Sequence, residues 1–495
     1  MSSTISAHRL ADLLAAGGTG GVGAVGGEQA AYRVLAEGVR RLVADGRILA
    51  GARLPSERDL TTALGVSRTT VSSAYAVLRD RGYLLSRRGS GSVVSLPTGR
   101  VPGGPLLPAD GADTDGTDGT DVSDVIDLTL AAPRAPDGLT EAFEEALAAL
   151  PHHLGGTGYH PFGLLEVREL VAERYTERGL PTAPGQVVLT TGALAGLSVA
   201  LRALGRPGDR VVLESPTYPN AMAAVRQSGL RPVGLALDPG GLDAEGLAIT
   251  LRQSAARLAY LVPDFHNPTG ALVDEATRAQ VASVLRRHRA VALVDETPAE
   301  LLVDVADGDM PRPLAAFDDR AISIGSASKT FWGGLRVGWL RAPVSDVPRL
   351  QQARLSLDLG APLVEQLALA ALLRRRHTVI EHRRRELRAS RDALVGALRT
   401  RLPDWRFTVP AGGLCLWCEL PQPRSSALVE AGLRHGVRLA PGGSFGVDGG
   451  LESFCRIPMA QPAAVLVEAV ERIARAWGDA QGATVHRTSL PALIA

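Results

Sequence analysis

Lys329 is the only lysine among the 495 residues, and the other 52 of the 53 basic residues are arginine. It lies in the run Gly325-Ser-Ala-Ser-Lys-Thr330. Arginine keeps its proton in proteins, whereas a buried lysine can lose its proton and form an imine with an aldehyde. A chain that uses arginine everywhere else therefore favours covalent chemistry at Lys329, with pyridoxal 5′-phosphate as the cofactor. The alternative interpretation is a codon bias that left one lysine on the surface.

Two further patterns suit such a cofactor. Residues 190–196 join an apolar strand to a helix, which would place the backbone N–H groups of Gly192, Ala193 and Leu194 at a positive helix end, where a phosphate binds. Many strand–glycine–helix turns share this pattern. Residues 291–295 indicate a buried strand that ends in a carboxylate. Such an aspartate could hold a pyridine nitrogen protonated, or it could cap a helix.

Length and composition limit the class of protein. A chain of 495 residues implies two or three domains, and its 45% hydrophobic and 21% charged residues are typical of a globular protein. We find no apolar run of about 20 residues and no signal peptide, and therefore expect a cytoplasmic protein. The spacing of Cys415 and Cys418 in a predicted buried strand favours two apolar core cysteines over a metal or redox pair.

The composition changes along the chain and predicts five segments. The fold class that they indicate is a winged helix-turn-helix followed by an α/β domain with a mostly parallel sheet. The segments are a flexible lead-in (1–27), a basic helical domain (28–95), a disordered acidic linker (96–124), the large α/β domain (125–480) and a C-terminal tail (481–495).

The basic segment contains a helix-turn-helix pattern. Residues 31–48 have helical periodicity, and two shorter helices at 57–64 and 68–79 follow the N-capping residues Ser56 and Ser67. Two short helices joined by a glycine-containing turn are typical of this motif. The start of the second helix would place its first residues at base edges and phosphates, namely Ser67, Arg68, Thr69 and Thr70.

A two-stranded wing is predicted at 83–94, with Arg87 and Arg88 near its tip. Over residues 28–95 there are 11 arginines and 6 acidic residues, a net charge of +5. This excess favours salt-sensitive contact with DNA phosphates. A helix-turn-helix can also serve as a protein-binding scaffold, so the pattern alone leaves that alternative open.

The basic segment resembles the GntR family of winged-helix regulators. The resemblance covers the whole segment and is carried by three runs, LPSERDL (54–60), GVSRTTV (65–71) and RGSGS (88–92). It implies that Arg58, Arg68 and Thr70, together with the wing around Gly91, contact operator DNA.

The large domain resembles the fold-type I aminotransferases over some 300 residues. The resemblance is carried by YHPFG (159–163), the strand–glycine–helix turn at 190–196, NPTG (267–270), Asp295 and the Lys329 run. It implies that Lys329 carries pyridoxal 5′-phosphate as a Schiff base and that Asp295 holds the ring nitrogen. It further implies that Tyr218 stacks on the cofactor ring, that Asn267 hydrogen-bonds the phenolic oxygen, and that Ser326 and Arg336 bind the phosphate. Tyr159 would bind the phosphate of the cofactor in the partner subunit, and Arg456 would bind the carboxylate of a ligand.

A winged helix followed by this fold resembles the MocR-type subgroup of GntR regulators. The resemblance implies a homodimeric transcription factor that senses a small amine, an amino acid or pyridoxal phosphate itself. One departure is that Glu296, Thr297 and Pro298 follow Asp295, where the family usually has a tyrosine. A working aminotransferase that carries a DNA-binding module, and a repressor that uses the fold only for dimerisation, are the alternatives.

Two charged segments remain open to interpretation. Residues 109–127 contain seven aspartates and no basic residue. They are either a spacer or a competitor with DNA for Arg68, Arg87 and Arg88. The arginine-rich run 374–386 is interpreted as an exposed charged helix rather than as a second DNA contact.

Overall fold

The computed structural model describes residues 4–16, 28–87, 91–96, 125–238 and 241–482. The predicted acidic linker, Arg88 and the predicted C-terminal tail beyond residue 482 lie outside the described residues. None of the helices in these ranges combines the length and the apolar content that a membrane crossing needs.

The N-terminal part is a winged helix-turn-helix with one additional helix. Its elements are α1 (Ala7–Ala16), α2 (Glu28–Ala44), α3 (Glu57–Leu64), α4 (Arg68–Asp80), β1 (Leu84–Arg87) and β2 (Gly91–Val94). The two strands are antiparallel, with Arg87 opposite Gly91, so the predicted wing is present.

Local sequence explains the helix-turn-helix. Ser56 and Ser67 cap α3 and α4, because each hydroxyl accepts a hydrogen bond from the backbone N–H three residues on. Gly65 ends α3 with a φ of 64°, a left-handed conformation that favours glycine. The buried Tyr75 then ties α4 to the segment before α3, since its hydroxyl donates to the carbonyl of Pro55 at 2.9 Å.

The prediction that residues 1–27 form a flexible lead-in is wrong for residues 7–16. Residues 7–16 form α1, which packs on α2 and α3. Leu10, Leu13 and Leu14 are buried in the same apolar cluster as Leu35 and Val71. These leucines recur at helical spacing, so their burial supplies the free energy that orders this helix.

The rest of the described chain forms an α/β domain and a smaller C-terminal subdomain. Their elements are, in chain order, β3 (Ile126–Asp127), α5 (Leu139–Ala149), α6 (Leu165–Glu177), β4 (Val187–Thr190), α7 (Ala193–Leu204), β5 (Arg210–Ser215), α8 (Pro219–Gln227), β6 (Arg231–Ala236), α9 (Ala244–Ser254), β7 (Leu258–Leu261), α10 (Glu275–His288), β8 (Val291–Asp295), β9 (Ile322–Ser326), α11 (Ala327–Thr330), β10 (Gly338–Arg341), α12 (Val347–Arg354), α13 (Leu363–Arg374), α14 (Arg376–Arg401), β11 (Cys415–Glu419), α15 (Ser425–Arg434), β12 (Val437–Arg438), β13 (Ala440–Pro441), β14 (Phe454–Pro458) and α16 (Ala463–Gly482).

The central sheet has seven strands in the order β4-β10-β9-β8-β7-β5-β6. All neighbouring pairs are parallel except those that involve β10, which runs against both β4 and β9. The prediction of a mostly parallel sheet is confirmed. Helices on both faces cover it, and the strands are apolar along most of their length because both faces are buried.

The C-terminal subdomain packs α14, α15 and α16 on an antiparallel sheet of order β11-β14-β13. Arginines at the junction of α13 and α14 pair with carboxylates of neighbouring elements: Arg374 with Glu145 and Glu166, and Arg376 with Glu177. These intramolecular ion pairs support a structural interpretation of this arginine-rich run over a second DNA contact.

The winged helix is docked on the α/β domain of the same chain. The backbone carbonyl of Ala44, the last residue of α2, accepts a hydrogen bond from Leu451 N–H at 2.7 Å. Arg9 of α1 forms an ion pair with Asp238 at 3.1 Å. A cavity of about 880 Å³ lies between the two domains and is lined by residues of both.

Candidate functional site

The central sheet brings five predicted site segments to one edge. β4, β5, β7, β8 and β9 share one direction, so their C-terminal ends meet at the same side of the sheet. Ligands of open α/β sheets bind at this edge. Each of these strands leads within a few residues to a predicted cofactor residue: Gly192, Tyr218, Asn267, Asp295 and Ser326.

A cavity of about 540 Å³ lies at this edge. Its lining combines apolar side chains with polar and charged groups, and its volume is typical of a small-molecule site. The predicted residues that line it are Ala193, Leu194, Tyr218, Asn267, Asp295, Ser326, Lys329, Arg336 and Arg456.

Lys329 lies on α11, directly after β9, and its side chain reaches into this cavity. The ammonium group donates a hydrogen bond to the carbonyl of Ala131 at 2.7 Å. Burial lowers the pKa of Lys329 to about 8, and the positive charges of Arg456 and Arg336 act in the same direction. A substantial fraction of the amine is therefore neutral near neutral pH, as imine formation requires.

The cradle for a phosphate is formed where β4 meets α7. Gly192 has a φ of 96°, and a Cβ atom there would lie 2.8 Å from a guanidinium nitrogen of Arg336. Only glycine leaves this space open at the N-terminus of α7, where Ala193 and Leu194 present free N–H groups. A terminal nitrogen of Arg336 donates to the carbonyl of Thr191 at 3.2 Å, and Ser326 lines the same cavity.

Asp295 ends β8, and both of its carboxylate oxygens accept hydrogen bonds. Tyr260 donates its hydroxyl to Oδ2 at 2.5 Å, and the backbone N–H of Thr297 donates to Oδ1 at 2.9 Å. Burial, with the nearby Asp295 charge, raises the pKa of Tyr260 well above its ordinary value, so this phenol stays a donor. These bonds fix the orientation of the carboxylate that would pair with a protonated pyridine nitrogen.

A hydrogen bond between Arg456 and Asn267 joins the C-terminal subdomain to the α/β domain at the cavity. Arg456 is buried, and one of its terminal nitrogens donates to Oδ1 of Asn267 at 3.3 Å. The other terminal nitrogen donates to the carbonyl of Thr129. Its guanidinium lies over the ring of Phe445, 4.8 Å from the centroid. The buried Arg456 Nε has no hydrogen-bond partner, which leaves capacity for an anionic group.

Two tyrosines predicted to serve the cofactor lie in different environments. Tyr218 lines the cavity, and its hydroxyl accepts a hydrogen bond from Asn220 at 3.0 Å. Tyr159 is 63% exposed and lies outside the cavity lining of its own subunit. An exposed position is compatible with a contact to a second copy of the chain.

The structure corrects one prediction about the cysteines. Cys418 is buried in the C-terminal subdomain beside Cys455, as expected for a core cysteine. Cys415 instead lines the cavity, with its sulfur 4.0 Å from Oδ1 of Asn267. The odd spacing placed the two side chains on opposite faces, but the sequence could not show that one of these faces borders the cavity.

The sequence did not predict all of the polar residues that line this cavity. Those that it missed are Thr129, Asn220, Tyr260, His266, Thr297, Ser328 and Cys415. Tyr260 carried a signal, because it lies in an apolar strand before the NPTG run. Its partner in the neighbouring strand is Leu293, two residues before Asp295 and on the same face. Using this signal requires the strand order, which the sequence does not state. Among the described residues, His, Cys, Asp and Glu side chains form no cluster suited to a metal ion.

The predicted DNA-contacting side chains divide into two groups. Arg58, Ser67, Arg68 and Thr69 are exposed at the starts of α3 and α4. Thr70 is only 5% exposed, and its hydroxyl lies 2.9 Å from that of Ser67. The prediction that Thr70 reaches DNA therefore does not fit its position, because it completes the helix cap. In the wing, Gly91 has a φ of 73° and is opposite Arg87.

This fold and cavity define a class of protein: a winged helix joined to a fold-type I domain with a buried lysine at the sheet edge. The model of the bacterial regulatory proteins of the gntR family matches residues 31–94. The model of aminotransferase class I and II matches residues 123–473. Pyridoxal 5′-phosphate is the cofactor of this fold, and the residues described above fit it.

Similar proteins include both regulators and enzymes. The pyridoxine biosynthesis regulator PdxR of Corynebacterium glutamicum is 30% identical, with 84% of this chain and 90% of that protein covered. The uncharacterized HTH-type regulator YdcR of Escherichia coli is 29% identical, with coverage of 84% and 92%. The crystal structure of LysN, an α-aminoadipate aminotransferase from Thermus thermophilus, has a TM-score of 0.66 at 29% identity and covers 73% of this chain and 94% of that one.

The chain belongs to the aminotransferase class I and II family and, with its GntR domain, has the MocR-type architecture of transcriptional regulators.

The lowered pKa of Lys329 predicts how the protein captures its cofactor. Because the neutral amine is the nucleophile, the rate of covalent capture of pyridoxal 5′-phosphate by cofactor-free protein should rise with pH and level off above about 8. Stopped-flow absorbance between pH 6 and 11 measures this rate, with Lys329→Ala as the control that shows no capture. A rate that keeps rising to the ordinary lysine pKa of about 10.4 would contradict the buried position.

Proposed function

We propose that this protein is a transcriptional regulator that reads DNA through its winged helix and senses a small amine, an amino acid or pyridoxal 5′-phosphate itself through Lys329. The observation that carries the proposal is the coexistence in one chain of an exposed helix-turn-helix surface and a buried lysine in a cofactor-sized cavity.

Different residues of the cavity would bind different groups of the cofactor and of the ligand. Lys329 would hold the aldehyde carbon covalently and be released when an amine ligand takes its place. Gly192, Leu194 and Arg336 would hold the phosphate, while Asp295 would keep the ring nitrogen protonated. When bound, the cofactor supplies an electron-withdrawing ring that favours reaction with amines. Arg456 would orient the carboxylate of an amino-acid ligand as a two-pronged donor.

A working aminotransferase is the second candidate, because LysN is an enzyme of the same fold. The tyrosine that this family usually places after Asp295 is replaced here by Thr297, which lines the cavity. Both tyrosines of the lining already have partners, since Tyr260 donates to Asp295 and Tyr218 accepts from Asn220. We infer that ligand binding persists here while transamination is slow.

A homodimer is part of the proposal. The aminotransferase fold is typically dimeric, and the exposed Tyr159 would then serve the phosphate of the partner subunit. Sedimentation of the cofactor-loaded protein as a monomer at micromolar concentration would contradict this arrangement.

The sensing role predicts a ligand-dependent spectrum without turnover. Amines and amino acids titrated into the cofactor-loaded protein should shift its absorbance band and change its affinity for promoter DNA over the same concentration range. Borohydride reduction before the titration should fix the cofactor on Lys329 and abolish both responses. Sustained conversion of an amino donor and a keto acid would instead favour the aminotransferase candidate.

The exposed position of Arg68 predicts a sequence-reading role. Arg68→Ala should weaken binding to a selected operator by about 1–3 kcal/mol and relax specificity at one base pair. Arg399→Ala is the matched control, because Arg399 is an exposed arginine near the end of α14. Fluorescence anisotropy on operator and scrambled DNA measures both effects. Wild-type affinity of Arg68→Ala for the operator would show that another element reads the DNA.

A further inference from the structure

Two short loops run from the cofactor cavity to the interface with the winged helix. We name residues 214–218, which comprise the end of β5 and the turn after it, the Tyr218 loop, and residues 266–270 the Asn267 loop. In the Tyr218 loop, Tyr218 lines the cofactor cavity, whereas Ser215 and Pro216 line the cavity between the domains. The loop therefore borders the cavity between the domains at one end and the cofactor cavity at the other.

The Asn267 loop has the same arrangement. His266 and Asn267 line the cofactor cavity, whereas Thr269 and Gly270 line the cavity between the domains. The winged helix contributes the C-terminal end of α2 and the residues after it to that second cavity, among them Leu42, Asp45 and Gly46. Asn267 is thus only two or three residues along the chain from Thr269 and Gly270, which border the winged-helix interface.

A series of side-chain contacts connects the two loops. Glu214 is 1% exposed, and its Oε2 accepts a hydrogen bond from the backbone N–H of Val262 at 2.7 Å. The same oxygen lies 3.5 Å from Nε2 of His266. On the other side of the ring, Nδ1 of His266 lies 2.9 Å from the hydroxyl of Thr269. His266 therefore contacts the first loop through Glu214 and the interface through Thr269.

The contact between Glu214 and His266 is only partly formed. Nε2 of His266 is buried and makes no hydrogen bond, although a carboxylate oxygen lies 3.5 Å away. A buried polar group without a partner is costly, and an apolar pair of the same size would pack here without that cost. A small movement of either loop would shorten this distance to that of a hydrogen bond or lengthen it, and these two arrangements would differ in energy.

We infer that His266 is a positioning residue that links the occupancy of the cofactor site to the seating of the winged helix, through Glu214 and Thr269. The inference rests on the proposed sensing function. A ligand that draws Asn267 or Tyr218 into the cavity changes the Glu214–His266 contact. Thr269 borders the cavity between the domains, so its movement changes the space beside the end of α2, and the orientation of α4 changes with it. The coupling requires only that the cofactor site binds its ligand with different affinity in the two arrangements.

The test compares DNA affinity with and without pyridoxal 5′-phosphate in three variants. His266→Ala removes the link, Thr269→Val removes only the hydroxyl contact outside the cofactor cavity, and His377→Ala changes an exposed histidine of α14 as the control. Wild type and His377→Ala should show a cofactor-dependent difference in DNA affinity of about fivefold or more. Thr269→Val, which lies outside the lining of the cofactor cavity, should keep the cofactor absorbance band but lose most of this difference. His266→Ala should lose the difference as well.

The outcomes separate the inference from the function on which it rests. Wild-type protein without a cofactor band would overturn the proposed sensing function. A cofactor band without a cofactor-dependent difference in DNA affinity would overturn the link between cofactor occupancy and the winged helix. A normal band and an unreduced difference in Thr269→Val would overturn the link alone. Hydrogen exchange of the α2 C-terminus provides an independent measurement. Addition of the cofactor should change the exchange of residues 40–46 in wild type and should leave it unchanged in Thr269→Val.

Discussion

Burial of one amine among fixed charges is the interaction on which the cofactor site depends. Lys329 is surrounded by protein, and burial opposes its charged form more than the carboxylate of Asp295 favours it. The amine is kept reactive only while the sheet edge holds it there. The strands, the glycine at position 192 and the left-handed backbone of Arg336 (φ 49°) all serve to fix the groups around that amine.

The same sheet edge explains why sensing and DNA binding can be joined in one chain. Loops at the C-terminal ends of the strands carry cofactor residues on one side and face the winged helix on the other. The exposed residues Arg58, Arg68 and Thr69 stay accessible while α1 and the end of α2 are docked. The interface therefore fixes the orientation of the DNA-reading surface without covering these residues.

Much of this site was predictable, for identifiable reasons. Lys329, Asp295 and Asn267 lie in runs whose residue types are dictated by the cofactor, and serine caps with a left-handed glycine define α3 and α4. Tyr260, Cys415 and Thr129 could not be assigned in this way, because their roles arise from which strands and segments become neighbours. Thr70 was misplaced because its capping bond and a DNA contact have the same sequence pattern. The order of α1 depends on tertiary burial of three leucines, which a glycine-rich context obscures.

Two features around Asp295 affect binding and turnover differently. The hydroxyl of Tyr260 fixes the orientation of the Asp295 carboxylate, which would bind a protonated ring nitrogen. Glu296, Thr297 and Pro298 follow Asp295 in place of the tyrosine that the resemblance leads one to expect, so no phenol follows Asp295 directly to assist proton transfer. On the function that we propose, a site that keeps the first feature and lacks the second would hold an amine ligand without converting it quickly. Persistence of the bound state is what a sensor needs, since its occupancy must last long enough for DNA binding to respond to it.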